Sequence, residues 1–549
     1  MASTSLPVRD LGGVGVISDI NAYNLPFNGF TTGINVRFDE GKIKRAPVFR
    51  RVFSNLSAVT GTAFDPRACF GIVPATGFDT VLLAGDNFAL YEYANGSVTD
   101  VTGSAGVKPT DPRPFTISSL ADVVYVNRPD QVPVYRLPSG TNFAPLANWP
   151  SNHRCVALRP FGDFLIALNM VEGANAFPNR VRFSNIVQAN AIPDSWDETD
   201  VTKSAGFNDL VSLQTAIIDG LELGTNFIIY SASEVMLMEF TGSTFLFNFR
   251  KLFSDDGVIS QNAVIEAEGK HFVFGNSDIY MHDGSTKRSI ADQRVRQFIY
   301  QSMNIKNADR CFVQHNKVLS EVYFCYQSGD AQVGFPDTDR CNKAAVYNYK
   351  NKTWSFMDLP NISAGTTANL DTVTTYATAT ESYATVGGSY FDQNDSFNRH
   401  TIMVGGSDTS NNITTEKIYA LDGADEGSSV AFDVDTEATK PPFVERVGLD
   451  LDEIGTGLDG YKVITRILPQ ISTENTDNTT ITFQFGASDI PNKTPTYDST
   501  QTFDISSDYK IDTRASGRYL SYKVTLGSSD YKDFSFSGMD VDVTVTGQK

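Results

Sequence analysis

One recurring unit constrains this chain more than any other feature. An apolar strand is followed by a tight polar turn, a second strand centred on an aromatic residue, and a further Gly or Asn turn. Clear copies are VLLAGDNFALYEYANGSV from Val81, VVYVNRPDQVPVYRLPSG from Val123 and FIIYSASEVMLMEFTGSTF from Phe227. Three more start at His271 (HFVFGNSDIYMHDGST), Val322 (VYFCYQ, resumed at AAVYNYKNKTW) and Ile402 (IMVGGSD, resumed at KIYALDGAD), and a variant starts at Phe161 (FGDFLIAL). Self-similarity at roughly 40–50 residues, with several strands per unit, marks β-propeller blades. The expectation is an all-β chain built on an irregular β-propeller of six or seven blades across residues 61–435.

The flanks read differently. Residues 1–60 are expected to form an N-terminal arm and hairpin. Asn35 to Phe38 alternates as a strand, Asp39-Glu40-Gly41 turns the chain, and the basic return strand Lys42 to Arg45 ends before Pro47. That basic strand suits either a solvated edge that discourages pairing or a partner contact. Polar insertions are expected at 327–343 and 360–400, the second rich in Thr, Ala, Ser, Gly and Asn. Past Pro441-Pro442, six to eight period-two runs without a helical pattern predict a C-terminal antiparallel β-sandwich over 440–549. One short helix is expected, within Ile290 to Gln301.

Charge and chemistry narrow the function. The formal net charge is −20, from 64 acidic and 44 basic residues, which disfavours gripping nucleic acid through its phosphates. An acidic wall still suits a surface along which DNA passes without sticking. Five widely spaced cysteines (Cys69, Cys155, Cys311, Cys325, Cys341) form no C-x-x-C and predict buried free thiols in a reducing compartment. No apolar run is long enough to span a bilayer, and the first residues lack the pattern of a secretion signal.

His153, His271, His282, His315 and His400 form no metal-binding pair at helical spacing. Strand alternation is expected to bring His271 near His282 in a structural role. Asp450-Leu451-Asp452-Glu453, Leu458-Asp459-Gly460 and Asp255-Asp256-Gly257 read as turns, since none matches a calcium loop. The Gly12 segment (GGVGV) lacks the strand and helix that a phosphate cradle needs. Tyr349 to Trp354 reads as a Trp packed between blades. No catalytic, metal or cofactor residue is therefore assigned.

Four stretches, taken in order, carry a resemblance: NVRFDEGKIKRAP from Asn35; NRVRFSN from Asn179 with Pro193-Asp-Ser-Trp196; SASEVMLMEFTGSTFLFNFRKLFSDDGVIS from Ser231; and RASGRYLSYKVTLGSSDYKDFSFSGMDVDV from Arg514. This order resembles the tail nozzle (tail tubular, or tail stabilisation) proteins of short-tailed bacteriophages. The chain departs from the family's opening by carrying Ala46-Pro47 where Pro-Gly is usual. The resemblance implies a virion protein, assembled in the host cytoplasm into a ring expected to hold six copies. The ring would extend the tail below the head-to-tail adaptor, carry fibres or tip proteins, retain the genome and conduct DNA on ejection. It supplies no catalytic residues. Two other classes fit a propeller: a carbohydrate-active protein acting on host surface glycans, and a cellular interaction hub.

Overall fold

The computed structural model describes residues 3–54, 56, 64–73, 79–94, 97–242, 245–329, 339–368, 400–406, 417–422, 442–451, 460–473, 480–490, 493–526 and 534–548. The described residues are nearly all β, arranged largely as small antiparallel four-stranded sheets. The first sheet holds Pro66–Ile72, Thr80–Gly85, Leu90–Ala94 and Ser97–Asp100. The second holds Thr116–Leu120, Val123–Asn127, Val134–Arg136 and Ala144–Pro145. The third holds His153–Phe161, Phe164–Glu172, Asn175–Phe183 and Gly206–Asp209. Ile217–Leu223, Asn226–Ser231, Val235–Phe240 and Phe247–Phe253 make the fourth. Val264–Ala267, Lys270–Phe274, Ile279–His282 and Lys287–Ser289 make the fifth.

The long strand Thr353–Ala368 serves two further groups. Its first part closes a sixth set, with Phe312–Asn316, Glu321–Tyr326 and Cys341–Asn348. Its second part, from Ile362, opens a seventh, followed by His400–Gly405 and Lys417–Asp422. The fourth strand of that seventh set comes from the opposite end of the chain: Val48–Ser54 pairs antiparallel with Lys417–Asp422. The first strands of successive sheets pack on one another in order, and Thr353–Ala368 packs back onto Pro66–Ile72. The order of contacts is therefore cyclic.

The local causes are visible in the sequence. Second strands such as Val81-Leu82-Leu83-Ala84 and Phe227-Ile228-Ile229 are buried on both faces, so they read as apolar runs rather than as alternation. In sheets two to five, two-residue turns join the first and second strands: Ala121-Asp122, Gly162-Asp163, Gly224-Thr225 and Glu268-Gly269. Both residues of the Ala121 and Glu268 turns have positive φ, the mirror-image turn geometry that matches strand twist.

In the N-terminal segment the expected hairpin forms from Val36–Asp39 and Lys42–Arg45, and described strands before it pair with distant ones. Ser3–Arg9 pairs along its whole length with Ser535–Gln548, and Lys42–Arg45 pairs both with Val36–Asp39 and with the start of that same C-terminal strand. Thr32–Ile34 joins Phe443–Leu449 in the facing sheet. The C-terminal runs form two sheets, one containing Gly460–Ser472, Ile511–Gly517 and Ser535–Gln548, the other Phe443–Leu449, Tyr519–Leu526 and Thr480–Ser488. Their apolar faces, including Ile467, Phe483 and Phe536, share one continuous core with Val36, Phe38, Tyr230, Phe274 and Trp354. The hairpin is recruited because its apolar face (Val36, Phe38, Ile43) is fully buried there.

The basic return strand is not an open edge: it lies between Val36–Asp39 and the start of the C-terminal strand, with Lys42 exposed. Lys44 donates to Asp39 at 2.9 Å, and Arg37 pairs with Glu321 of the sixth sheet at 2.9 Å. Gly12, in the GGVGV stretch, lies against the hairpin backbone: its N–H donates to Gly41 O at 2.9 Å, and a Cβ there would meet Lys42 backbone atoms at 2.4 Å. The helix spans Arg296–Ser302, shorter than expected, because Ile290 and Ala291 belong to the turn leaving the fifth sheet. The insertion 360–400 begins as strand to Ala368; 369–399, like 330–338 of the other insertion, lies outside the described residues. So do Asp452, Glu453, Leu458 and Asp459 of the acidic clusters.

Candidate functional site

The cyclic packing leaves a cavity of about 290 Å³ where the seven first strands converge. Each strand contributes to its wall, for example Arg67, Ile117, Arg159, Leu221, Val264, Gln314 and Thr366. Four arginines reach it, and each meets a carboxylate. Arg159 is held by Asp219 through two bonds of 2.9 and 2.7 Å, and also donates to Asn262 at 2.7 Å. Arg67 bridges Asp65 and Asp339, both at 2.7 Å. Arg340 pairs with Asp65, and Arg310 with Asp309 at 3.5 Å.

Burial acts first on these groups. It works to lower the Arg67 pKa, but Asp65 and Asp339 outweigh it and hold Arg67 above its ordinary value. Burial likewise works to raise Asp339, and Arg67 overrides it and keeps that carboxyl below the usual range. Asp86 behaves oppositely: burial, then repulsion from Asp65, raises its pKa. The charged groups of the cavity neutralise one another within a lining that is otherwise largely apolar, and Asp86, outside that lining, is the carboxyl that holds its proton longer.

The histidines expected near each other are register partners, His271 opposite His282 in the fifth sheet. Both are fully buried and both bond the Tyr230 hydroxyl of the fourth sheet, at 2.7 and 2.6 Å. Burial lowers the pKa of His271 to about 4; burial and then His271 lower that of His282 to about 3. His315 touches the Tyr349 hydroxyl at 3.2 Å, and its pKa is lowered by burial; His153 lies 3.8 Å from Glu172. All five cysteines are free and buried, and burial raises the pKa of each thiol, which opposes reactivity. Among the described residues, no group of three or more His, Cys, Asp or Glu is placed to hold a metal ion.

Other singled-out residues prove to be joints. Trp354 is fully buried, packs on Tyr347, and donates its indole N–H to Ile290 O at 2.9 Å, tying the sixth sheet to the end of the fifth. In the Asp255-Asp256-Gly257 turn, the Asp256 carboxylate accepts from Gly257 N, Asn276 N and Ser277 Oγ at 3.0–3.1 Å. Gly257 lies so close to the fourth sheet that a Cβ would sit 1.9 Å from Ser231 O. Arg180 and Arg182 of NRVRFSN are both buried. Arg180 grips Asp209 twice at 2.7 Å, and Arg182 donates to Trp196 O at 2.8 Å.

No sequence motif announced the cavity. Its walls come from first strands, each supplying one or a few residues from a different repeat. A usable signal was a polar residue on three of those strands, Arg67, Arg159 and Gln314, with Asn262 just before a fourth.

No family model matches the chain, and no curated protein matches it in sequence. Among solved structures the chain is similar to that of U3-55K, at 8% identity and a TM-score of 0.37, over 68% of this chain and 98% of that one. A likeness at that level carries no argument about function. No helix among the described residues is long and apolar enough to cross a membrane.

Proposed function

We propose that the chain is a structural virion protein, one subunit of a ring-shaped tail nozzle of a short-tailed bacteriophage. The observation that carries this is the order of sequence features, from NVRFDEGKIKRAP through SDDGVIS to the C-terminal RASGRYLSYKVTLG stretch. In this reading the four-stranded sheets are the blades of an irregular β-propeller, closed by Val48–Ser54 pairing with Lys417–Asp422. Closure by first and last strands lets a chain with many short sheets hide its edges.

The subunit assembles with copies of itself, six being the expected number, below the head-to-tail adaptor. Tail fibres or tip proteins dock on it, and viral DNA passes through the assembled lumen without sequence recognition. Two observations support this. The charge of −20 per chain, repeated around a channel, repels phosphates and limits sticking. The cavity's arginines are each matched by a carboxylate, which favours a scaffold over an anion site. Imaging of purified particles tests the reading. A ring of this chain at the distal tail supports it; particles whose tails lack the chain overturn it.

A second reading, glycan processing, draws on one observation. Asp86 lies beside Asp65, its N–H donating to Asp65 O at 2.9 Å, and burial and then Asp65 raise its carboxyl, as in sites that pair a general acid with a base. Turnover of host capsule or lipopolysaccharide, lost in Asp86→Asn, would favour it over the nozzle.

A further inference from the structure

The hydrogen bonds around His271 and His282 fix where every proton sits. The Gly284 N–H donates to His282 Nδ1 at 3.2 Å, so that nitrogen carries a lone pair and Nε2 carries the hydrogen. That Nε2–H then donates to the Tyr230 hydroxyl. On the other side, His271 Nε2 faces the carbonyl of Glu222 at 2.9 Å and must donate to it. His271 Nδ1 is therefore an acceptor, and it receives the Tyr230 O–H. The chain runs in one direction, His282 to Tyr230 to His271 to Glu222 O, and both imidazoles are neutral.

No place in this chain accepts another proton. A proton on His282 Nδ1 would oppose the Gly284 N–H. A proton on His271 Nδ1 would oppose the Tyr230 hydroxyl, which already accepts from His282. Either event leaves a buried donor without an acceptor and a buried charge without a partner. The chain crosses a boundary: Glu222 and Tyr230 belong to the fourth sheet, and both histidines belong to the fifth.

We propose that the His282–Tyr230–His271 chain is an acid-sensitive joint, in which uptake of protons by the two imidazoles releases the fourth sheet from the fifth. The surroundings do not rescue the charged form. From the fourth sheet, Asp219 is bound to Arg159, and Glu222 presents its backbone oxygen while burial raises its own carboxyl. From the connection, Asp255 is taken by Lys287 and Asp256 is held by Gly257, Asn276 and Ser277. From the fifth sheet, Lys287 lies over the Tyr280 ring at 4.2 Å and repels a second positive charge, while Tyr280 donates to Gly257 O. Asp283, beside His282, favours its charged form, but it is capped by Ser285 and Thr286 and is outweighed by burial and by His271. Glu266 and Lys270 are exposed, and Glu266 accepts from Gly269 N. The remaining neighbour, Phe253, packs its ring edge-on against His282.

The sign follows from linkage. Both imidazoles bind protons more weakly folded than unfolded, where the pKa is about 6.5. The joint is intact above that value and weakens as pH falls through it, levelling only below about pH 3, the lower of the two folded values. Two protons taken up together raise the opening constant about a hundredfold per pH unit between roughly pH 6 and pH 4.

Amide hydrogen exchange on the full chain, corrected for intrinsic rates, reads this directly. Segments 226–231 and 270–282 are expected to lose protection near that slope, while the histidine-free second sheet, 116–136, does not. The double variant His271→Gln with His282→Gln should lose the excess slope. Equal slopes in the two regions of the unaltered chain would overturn the proposal whether or not the variant folds, as would an undiminished excess slope in a folded variant.

Discussion

Replacing Arg37 with Met isolates the contact that joins the N-terminal hairpin to the sixth sheet. Arg37 Nε donates to Glu321 at 2.9 Å, and its Nη1 lies 3.3 Å from Asp39. The Glu321 side chain is 1% exposed, and its other oxygen accepts from the Tyr323 hydroxyl at 2.8 Å. Burial opposes charge on Arg37, yet Glu321 and then Asp39 outweigh it and hold the guanidinium above its ordinary pKa. Methionine keeps much of the aliphatic volume and removes the charge, leaving the Glu321 carboxylate buried with only a phenol. Breaking a buried pair from one side costs about 3–5 kcal/mol.

A chain of this size and sheet number does not unfold as one unit, so a global midpoint is the wrong readout. Amide exchange of 36–45 and 321–326 is the right one. The predicted loss corresponds to an increase in opening of about a hundredfold to several thousandfold, at 1.4 kcal/mol per tenfold. The double variant Arg37→Met with Glu321→Gln should recover at least about 1 kcal/mol relative to the sum of the single changes, because no charge is then stranded. A single-variant effect below threefold, or strict additivity, would refute the view that this pair fastens the hairpin.

Other outcomes follow from the same geometry. Gly257→Ala drives a Cβ into Ser231 O, and is expected to cost about 1–3 kcal/mol or more, read as lost protection in 231–235 and 256–260. All five thiols are buried, so a thiol reagent should titrate none in the native chain and five after denaturation; rapid native labelling would contradict the packing. Deleting residues 1–9 strips the pairing partner from Gly538–Thr544 and exposes that strand's edge. Increased self-association on sizing chromatography is expected, and an unchanged elution profile with unchanged exchange of 538–544 would count against it.

How much of this was legible in the sequence varies by strand. The copies at Val81, Val123, Phe227, His271, Val322 and Ile402 fall on the second and third strands of their sheets, and the variant at Phe161 falls on the end of a first strand and on the second. Those strands are buried on both sides, so their composition is forced. First and fourth strands were less visible, because they line the cavity or face outward, as with Thr116–Leu120 and Gly206–Asp209. The pairings of Val48–Ser54 with Lys417–Asp422 and of Ser3–Arg9 with Gly538–Thr544 were not readable at all. Such long-range register depends on how the whole chain closes, which local propensity does not encode.

The histidine pair was readable because two positions flanking one hairpin face each other by alternation. Tyr230 was not, because it arrives from the neighbouring sheet. The cavity escaped for the same reason: Arg67 and Asp339, or Arg159 and Asn262, are far apart along the chain and meet only when the sheets pack together.

The proposed nozzle is a ring of copies of this chain in a phage tail. Native mass measurement of the purified chain, combined with imaging of intact particles, separates a ring from a lone subunit. A closed multiple of the 60.1 kDa subunit is expected, six being the expected number, seen as a ring at the end of the tail. A chain that stays monomeric at every concentration and is missing from the particles would contradict it.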